Sequence, residues 1–227
     1  MKSYLLTLDQ ANILPHRTDF SRSQNPVLLL YGFGATRRSL AILEDRLREE
    51  GFDVFSLKLG GFLDHFNTHR VDDLARLVAQ RIESLYSRYP LPKMAIIGFS
   101  KGGLIGLYYL LELYGYKKMH TLITLATPHR GIPKTLFTFF SKSVRQMRPS
   151  SPMIRLLQSS PIPKETYVVS ISSNADRICP SPMCQLSEQD HVKNVEIEGL
   201  GHSDFVIKIK AFKEIQRHLK IGKERNA

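Results

Sequence analysis

The chain has 227 residues, 42% of them apolar, enough for one domain with a sizeable core. Its net charge of +11 and pI near 9.7 favour anionic surfaces, but no nucleic-acid motif accompanies the charge, so it does not argue for that partner. No apolar stretch approaches a membrane span, and the run before Asp9 is too brief for a signal peptide's hydrophobic region. The expectation is a cytoplasmic protein that meets a membrane only at its periphery.

Residues 1–25 are mixed and read as an irregular lead-in with room for one edge strand. From Pro26 the signal sharpens: Val27 to Tyr31 is an apolar run suited to a buried strand, broken at Gly32-Phe33-Gly34. A helix follows, with Thr36 as its predicted cap, Leu40, Leu43 and Leu47 on its apolar face, and Gly51 as its stop. Asp53 to Leu57 reads as a strand that leads into the glycine turn Leu59-Gly60-Gly61-Phe62. Val71 to Tyr86 is a long amphipathic helix with Leu74, Leu77, Val78, Ile82 and Leu85 on one side.

The stretch from Lys93 to Leu113 organises the chain. Met94 to Ile97 is a strand, Gly98-Phe99-Ser100-Lys101-Gly102 a tight turn, and Leu104, Leu107, Tyr108 and Leu111 fall at helical spacing. This is a Gly-x-Ser-x-Gly elbow in the strand–turn–helix context that the chemistry requires. Glycines on either side of Ser100 lack a Cβ, so strand and helix can close around a strained turn that holds out the hydroxyl.

His120 to Leu125 is the next strand. The regular alternation of strand and helix predicts a parallel sheet covered by helices on both faces. After Thr127-Pro128-His129-Arg130-Gly131 the alternation is interrupted. Residues 131–164 carry Lys134, Lys142, Arg145, Arg148, Arg155 and Lys164 with no acid, and Leu136, Phe139, Phe140, Val144 and Met147 share one helical face. The segment reads as an amphipathic insertion, either a lid over the elbow or a helical cap packed permanently on the core with a solvated basic face. Phe137, Phe140, Met147 and Met153 are the candidates for contact with substrate.

Thr166 to Ile171 is a strand ending in the polar loop Ser172 to Asp176, and Val195 to Ile197 a further strand leading to Gly201-His202. Phe205 to Leu219 is predicted as the closing helix, followed by a frayed tail. Cys179 and Cys184 read as two free thiols or as one small loop-closing disulfide. No His/Cys cluster has metal-ligand spacing, and no metal or other cofactor is expected.

A serine hydroxyl becomes nucleophilic when an imidazole takes its proton, and a carboxylate must orient that imidazole. Ser100, Asp176 and His202 follow the chain order of an α/β-hydrolase, each just past a predicted strand. His120 begins a strand, His129 follows a proline and His191 precedes the last strand, so none of these lies in the loop beyond it. Glu188 and Asp190 compete less well than Asp176 for the acid, and Asp204 reads as a cap of the final helix. The backbone amides of Phe33 and Lys101 are the candidate donors to an oxyanion.

These residues carry a resemblance. The chain resembles the bacterial esterase/lipase, triacylglycerol-lipase-like family of α/β-hydrolases in Leu30-Tyr31-Gly32-Phe33-Gly34 and Gly98-Phe99-Ser100-Lys101-Gly102-Gly103. The likeness continues in Leu122 to Gly131, in Gln146-Met147-Arg148-Pro149, and at Asp176 and Gly201-His202. Tyr31 and Phe99 stand where histidine is common in such relatives. The resemblance implies an α/β-hydrolase fold and a triad of Ser100, Asp176 and His202 acting on small-molecule or lipid carboxylic esters. It also implies that the 131–164 insertion is a lid or acyl-site wall. The same residues suit an acyltransferase, thioesterase or amidase, or a catalytically silent binding module.

Overall fold

In the computed structural model, which describes residues 18–59, 69–133 and 142–226, the apolar runs become the interior of a six-stranded parallel sheet. The strands are β1 (Pro26–Leu30), β2 (Asp53–Ser56), β3 (Met94–Phe99), β4 (Met119–Leu125), β5 (Tyr167–Ser172) and β6 (Val192–Glu196), in the order β2-β1-β3-β4-β5-β6. Every residue of β1, β3 and β5 is buried, as central parallel strands covered on both faces require. The register aligns Leu30 with Gly98, Phe99 with Leu125, Leu125 with Ile171, and Ser172 with Glu196. Loops leaving β3, β5 and β6 therefore emerge along one rim of the sheet.

The helices are α1 (Ala41–Glu49), α2 (Val71–Tyr86), α3 (Lys101–Glu112), α4 (Lys142–Gln146), α5 (Pro152–Ser159), α6 (Ser181–Cys184) and α7 (Ile209–Glu224). Consecutive strand residues point to opposite faces. Leu122 reaches Gly106 of α3, where a Cβ would lie 2.9 Å from its Cδ1, while Thr121 abuts Gly222 of α7, where a Cβ would lie 1.9 Å from its Oγ1. Helices thus cover both faces, with α2 packed beside α3.

Several boundaries differ from the sequence reading. Thr36 makes no cap hydrogen bond; it heads a 3-10 turn at Arg37–Leu40, and α1 starts only at Ala41. Residues 18–25 hold no strand but a 3-10 turn capped by Asp19, and the rest of the lead-in lies outside the described residues, as do positions 60–62 of the second glycine turn. β6 begins at Val192, ahead of the expected Val195: Val192 alone is fully buried in this edge strand, whose polar residues mask it. Asp204 caps the 3-10 turn His202–Val206 by accepting from the Gly201 amide at 3.0 Å, and α7 starts at Ile209 rather than at Phe205. The tail is helical to Glu224, because Gly222 packs on Thr121 and the Asn226 amide group closes onto the Gly222 and His120 carbonyls.

The described part of the insertion is fastened to the body. Val144, Met147, Met153, Ile154 and Leu157 are buried, and the Ile132 amide donates to Met147 O at 2.8 Å. Gln146 accepts from the Val71 amide and donates to Asp72, both at 2.7 Å. Arg145, Arg155 and Lys164 face solvent. Leu136, Phe137, Phe139 and Phe140 lie outside the described residues.

Candidate active site

Ser100 joins β3 to α3 with φ 54° and ψ −122°, a backbone state that L-residues avoid and that surrounding contacts must enforce. Its amide donates to Leu125 O at 2.8 Å, and its carbonyl accepts from the Gly103 amide and from Thr127 Oγ1, each at 3.0 Å. Glycine is required close by: a Cβ on Gly98 would lie 2.5 Å from Gly103 Cα, and one on Gly102 would lie 2.1 Å from Leu30 O. Strand and helix meet backbone to backbone, and the serine side chain is the group left projecting from the bend.

Asp176, beyond β5, is buried. Its Oδ1 accepts from the Ile178 and Cys179 amides at 2.8 and 3.0 Å, which turns Oδ2 toward His202. His202, beyond β6, places Nδ1 2.7 Å from that oxygen. A carboxylate only accepts, so Nδ1 carries the proton and Nε2 keeps its lone pair. The imidazole also packs on Phe99, the residue before Ser100, with ring centroids 4.9 Å apart. Acid and imidazole are thus joined directly and meet the elbow through Phe99; among the described residues no hydrogen bond ties the Ser100 hydroxyl to His202.

The turn after β1 flanks the same serine. A Cβ on Gly32 would lie 3.0 Å from Ser100 Cβ and 3.5 Å from its Oγ, so the Phe33 amide belongs to a turn in contact with the nucleophile's side chain. Tyr31 is buried and its hydroxyl accepts the Leu59 amide at 2.9 Å, which ties this turn to the chain after β2. Lys101 contributes the first amide of α3.

The other histidines are engaged elsewhere. His129 is buried with Nε2 2.8 Å from Thr124 Oγ1, and burial pushes its pKa down to about 3. His191 Nε2 meets Ile162 O at 3.0 Å, and His120 Nδ1 meets Thr121 Oγ1 at 2.7 Å. Met147 and Met153 belong to the buried side of the insertion, and Cys179 and Cys184 are free, buried thiols.

A protein-family model described as alpha/beta hydrolase of unknown function (DUF915) matches residues 62–180, more than half of the chain. The chain belongs to this α/β-hydrolase family. Solved structures similar to this α/β-hydrolase include the Bacillus licheniformis lipase BlEst2 in mature form, with 13% identity and a TM-score of 0.69 over 91% of this chain and 95% of that one. Aspergillus fumigatus lipase B aligns at 18% identity and TM-score 0.71, over 90% of this chain and 54% of that one. A soluble variant of the Saccharomyces cerevisiae monoglyceride lipase, in complex with a substrate analogue, aligns at 16% and 0.61 over 92% and 90%. At these identities the likeness establishes the fold.

Some features of this α/β-hydrolase could not be read from its motifs. Thr127 was visible only as part of the run through Thr-Pro-His-Arg-Gly; its hydroxyl braces the Ser100 carbonyl. Lys101 was singled out for its amide alone, yet its side chain is fully buried. Its Nζ donates to His69 O at 2.5 Å and lies 5.9 Å from the centre of the Phe33 ring, and burial pushes its pKa down to about 7. It therefore couples the elbow to the Phe33 turn and to the chain entering α2.

Proposed function

We propose that this protein is a serine hydrolase that cleaves carboxylic esters through an acyl-enzyme on Ser100, with His202 as base and Asp176 as its orienting acid. The observation that carries the reading is the 2.7 Å Asp176–His202 pair set against the residue preceding a strained Ser100. His202 Nε2 takes the Oγ proton as Ser100 attacks the ester carbonyl, and the amides of Phe33 and Lys101 receive the developing oxyanion. His202 then passes that proton to the departing alcohol, leaving the acyl group on Oγ. Water, deprotonated by the same nitrogen, attacks the acyl-enzyme; carboxylic acid leaves and Ser100 recovers its proton. Substrate binding must bring Oγ and Nε2 together, a tightening common when an unliganded site fills.

The substrate class that fits is an ester with an apolar acyl chain. The insertion supplies the apolar wall, to which we assign Met147 and Met153 together with Phe137 and Phe140, which lie outside the described residues. Its exposed Arg145, Arg155 and Lys164 suit an anionic lipid surface, and among the described residues no helix is long and apolar enough to cross a membrane. Turnover of nitrophenyl acyl esters of increasing chain length tests the reading: Ser100→Ala loses on the order of 10⁴-fold or more with the fold intact. Retained turnover in that variant contradicts it. Sedimentation with anionic vesicles that salt abolishes supports the surface contact, and binding indifferent to lipid charge and salt refutes it.

A further inference from the structure

At the amino ends of the strands, opposite the rim that carries Ser100, a cavity of about 370 Å³ opens between β1, β3, β4 and the end of α7. Its size falls in the range of small-molecule sites. Phe52 and Pro92 supply apolar surface that reaches solvent, above the buried Val27, Ala95 and Leu219, while Lys93, Lys223 and His120 supply the polar part. Among the described residues no aspartate or glutamate lines it. Asp53, which follows Phe52 of the lining, spends Oδ2 on Ser23 Oγ and the Gln24 and Asn25 amides, all at 2.9 Å.

The end of α7 would ordinarily repel an anion, because a helix presents unsatisfied carbonyls there. Here those of Ile221, Gly222 and Lys223 are occupied. Arg225 N donates to Ile221 O and Asn226 N to Lys223 O, both at 3.1 Å, and Asn226 Nδ2 serves Gly222 O at 3.1 Å and His120 O at 3.3 Å. Lys223 is held at the mouth by its hydrogen bond to Asn25 Oδ1. Lys93 approaches from the chain entering β3. Burial, then the charges of Lys223 and Lys93, push the His120 pKa down to about 4, so both ammonium groups act on this imidazole.

We propose that this cavity is a binding site, separate from the Ser100 site, for a small organic anion with an apolar body, of the medium-chain carboxylate class. Lys93 and Lys223 receive the carboxylate, and the tail lies against Phe52 and Pro92, the apolar lining residues that reach solvent, and displaces water from them. A bare inorganic anion leaves Phe52 and Pro92 wet, and a neutral alcohol leaves the cations unmatched.

Octanoate, octanol and inorganic phosphate are titrated separately into labelled protein while the side-chain NMR signals of His120, Asn226 and His202 are followed. The expected result is a saturable octanoate shift at His120 and Asn226 that octanol and phosphate do not produce at equal concentration. Ser100→Ala leaves that shift in place, and K93E/K223E, which alters two exposed side chains, weakens it on the order of tenfold. A response confined to His202 means that octanoate reads only the Ser100 site and overturns the proposal. Equal binding of octanol or of phosphate, or of octanoate to the double variant, overturns it as well.

Discussion

The three atoms nearest a methyl on Gly98 are all backbone, so Gly98→Ala is the perturbation whose cost follows most directly from distances. The added methyl would lie 2.5 Å from both Gly103 N and Cα and 2.6 Å from Gly102 C, all backbone atoms of the first turn of α3. Ordinary contact begins at 3.4 Å, so the start of α3 must recede by about 0.9 Å from β3. Overpacking of this kind costs about 1–3 kcal/mol. The same displacement moves Ser100 and the Lys101 amide relative to the Phe33 turn, and a shift of about 1 Å in such a constellation costs on the order of 10²-fold in rate. Urea denaturation and ester turnover, measured on one preparation, read both effects. Gly106→Ala on the same helix is the control: its methyl meets first the movable Leu122 Cδ1 at 2.9 Å, and alanine gains about 1 kcal/mol of helix propensity. It should keep stability within about 1 kcal/mol and retain full activity. A Gly98→Ala protein with the stability and turnover of the parent refutes the close-packed elbow.

Tyr31→Phe removes the acceptor of the buried Leu59 amide and should cost about 1–3 kcal/mol in urea, with a severalfold fall in turnover as the Phe33 turn loosens; an unchanged midpoint contradicts the tether. Stability should fall in mild acid through His129. Its folded pKa of about 3 lies below the ordinary 6.5, so the unfolded chain takes up a proton that the folded chain refuses, and stability present above pH 6.5 is lost as pH drops toward 3. The slope in that window is about 1.4 kcal/mol per pH unit, giving a loss of about 2 kcal/mol between pH 7 and pH 5. His129→Gln should flatten the slope by that amount in denaturant titrations; an unaltered slope assigns the acid sensitivity elsewhere.

The parts of the fold that periodicity reveals are those buried on a constant face. Val71–Tyr86 was legible to the residue, because Leu74, Val78 and Ile82 repeat on one side and acids open its first turn. The central strands were legible because both of their faces are covered. β6 and the end of α7 were obscured for the opposite reason: β6 lies on an edge where Lys193 and Glu196 look like loop residues, and Gly222 looks like a helix stop until Thr121 is seen against it. Asp204 misled because its acid sits near a helix in sequence while its oxygen closes a separate 3-10 turn.

At the candidate site, chain order and strand ends singled out Ser100, Asp176 and His202, since side chains just past parallel strands share one rim. What the motif could not give was the support behind them. The Thr127 brace, the Phe99 stack on His202 and the buried Lys101 side chain depend on register and depth, which no local pattern encodes.

Reaction of the native protein with a fluorophosphonate, followed by peptide mass mapping, tests the proposed chemistry most directly, because only a serine with an adjacent base attacks that phosphorus rapidly. The account predicts one adduct, on Ser100, abolished in Ser100→Ala and slowed at least about 10²-fold in His202→Ala. A folded protein that stays unlabelled, or one labelled at another serine, contradicts it.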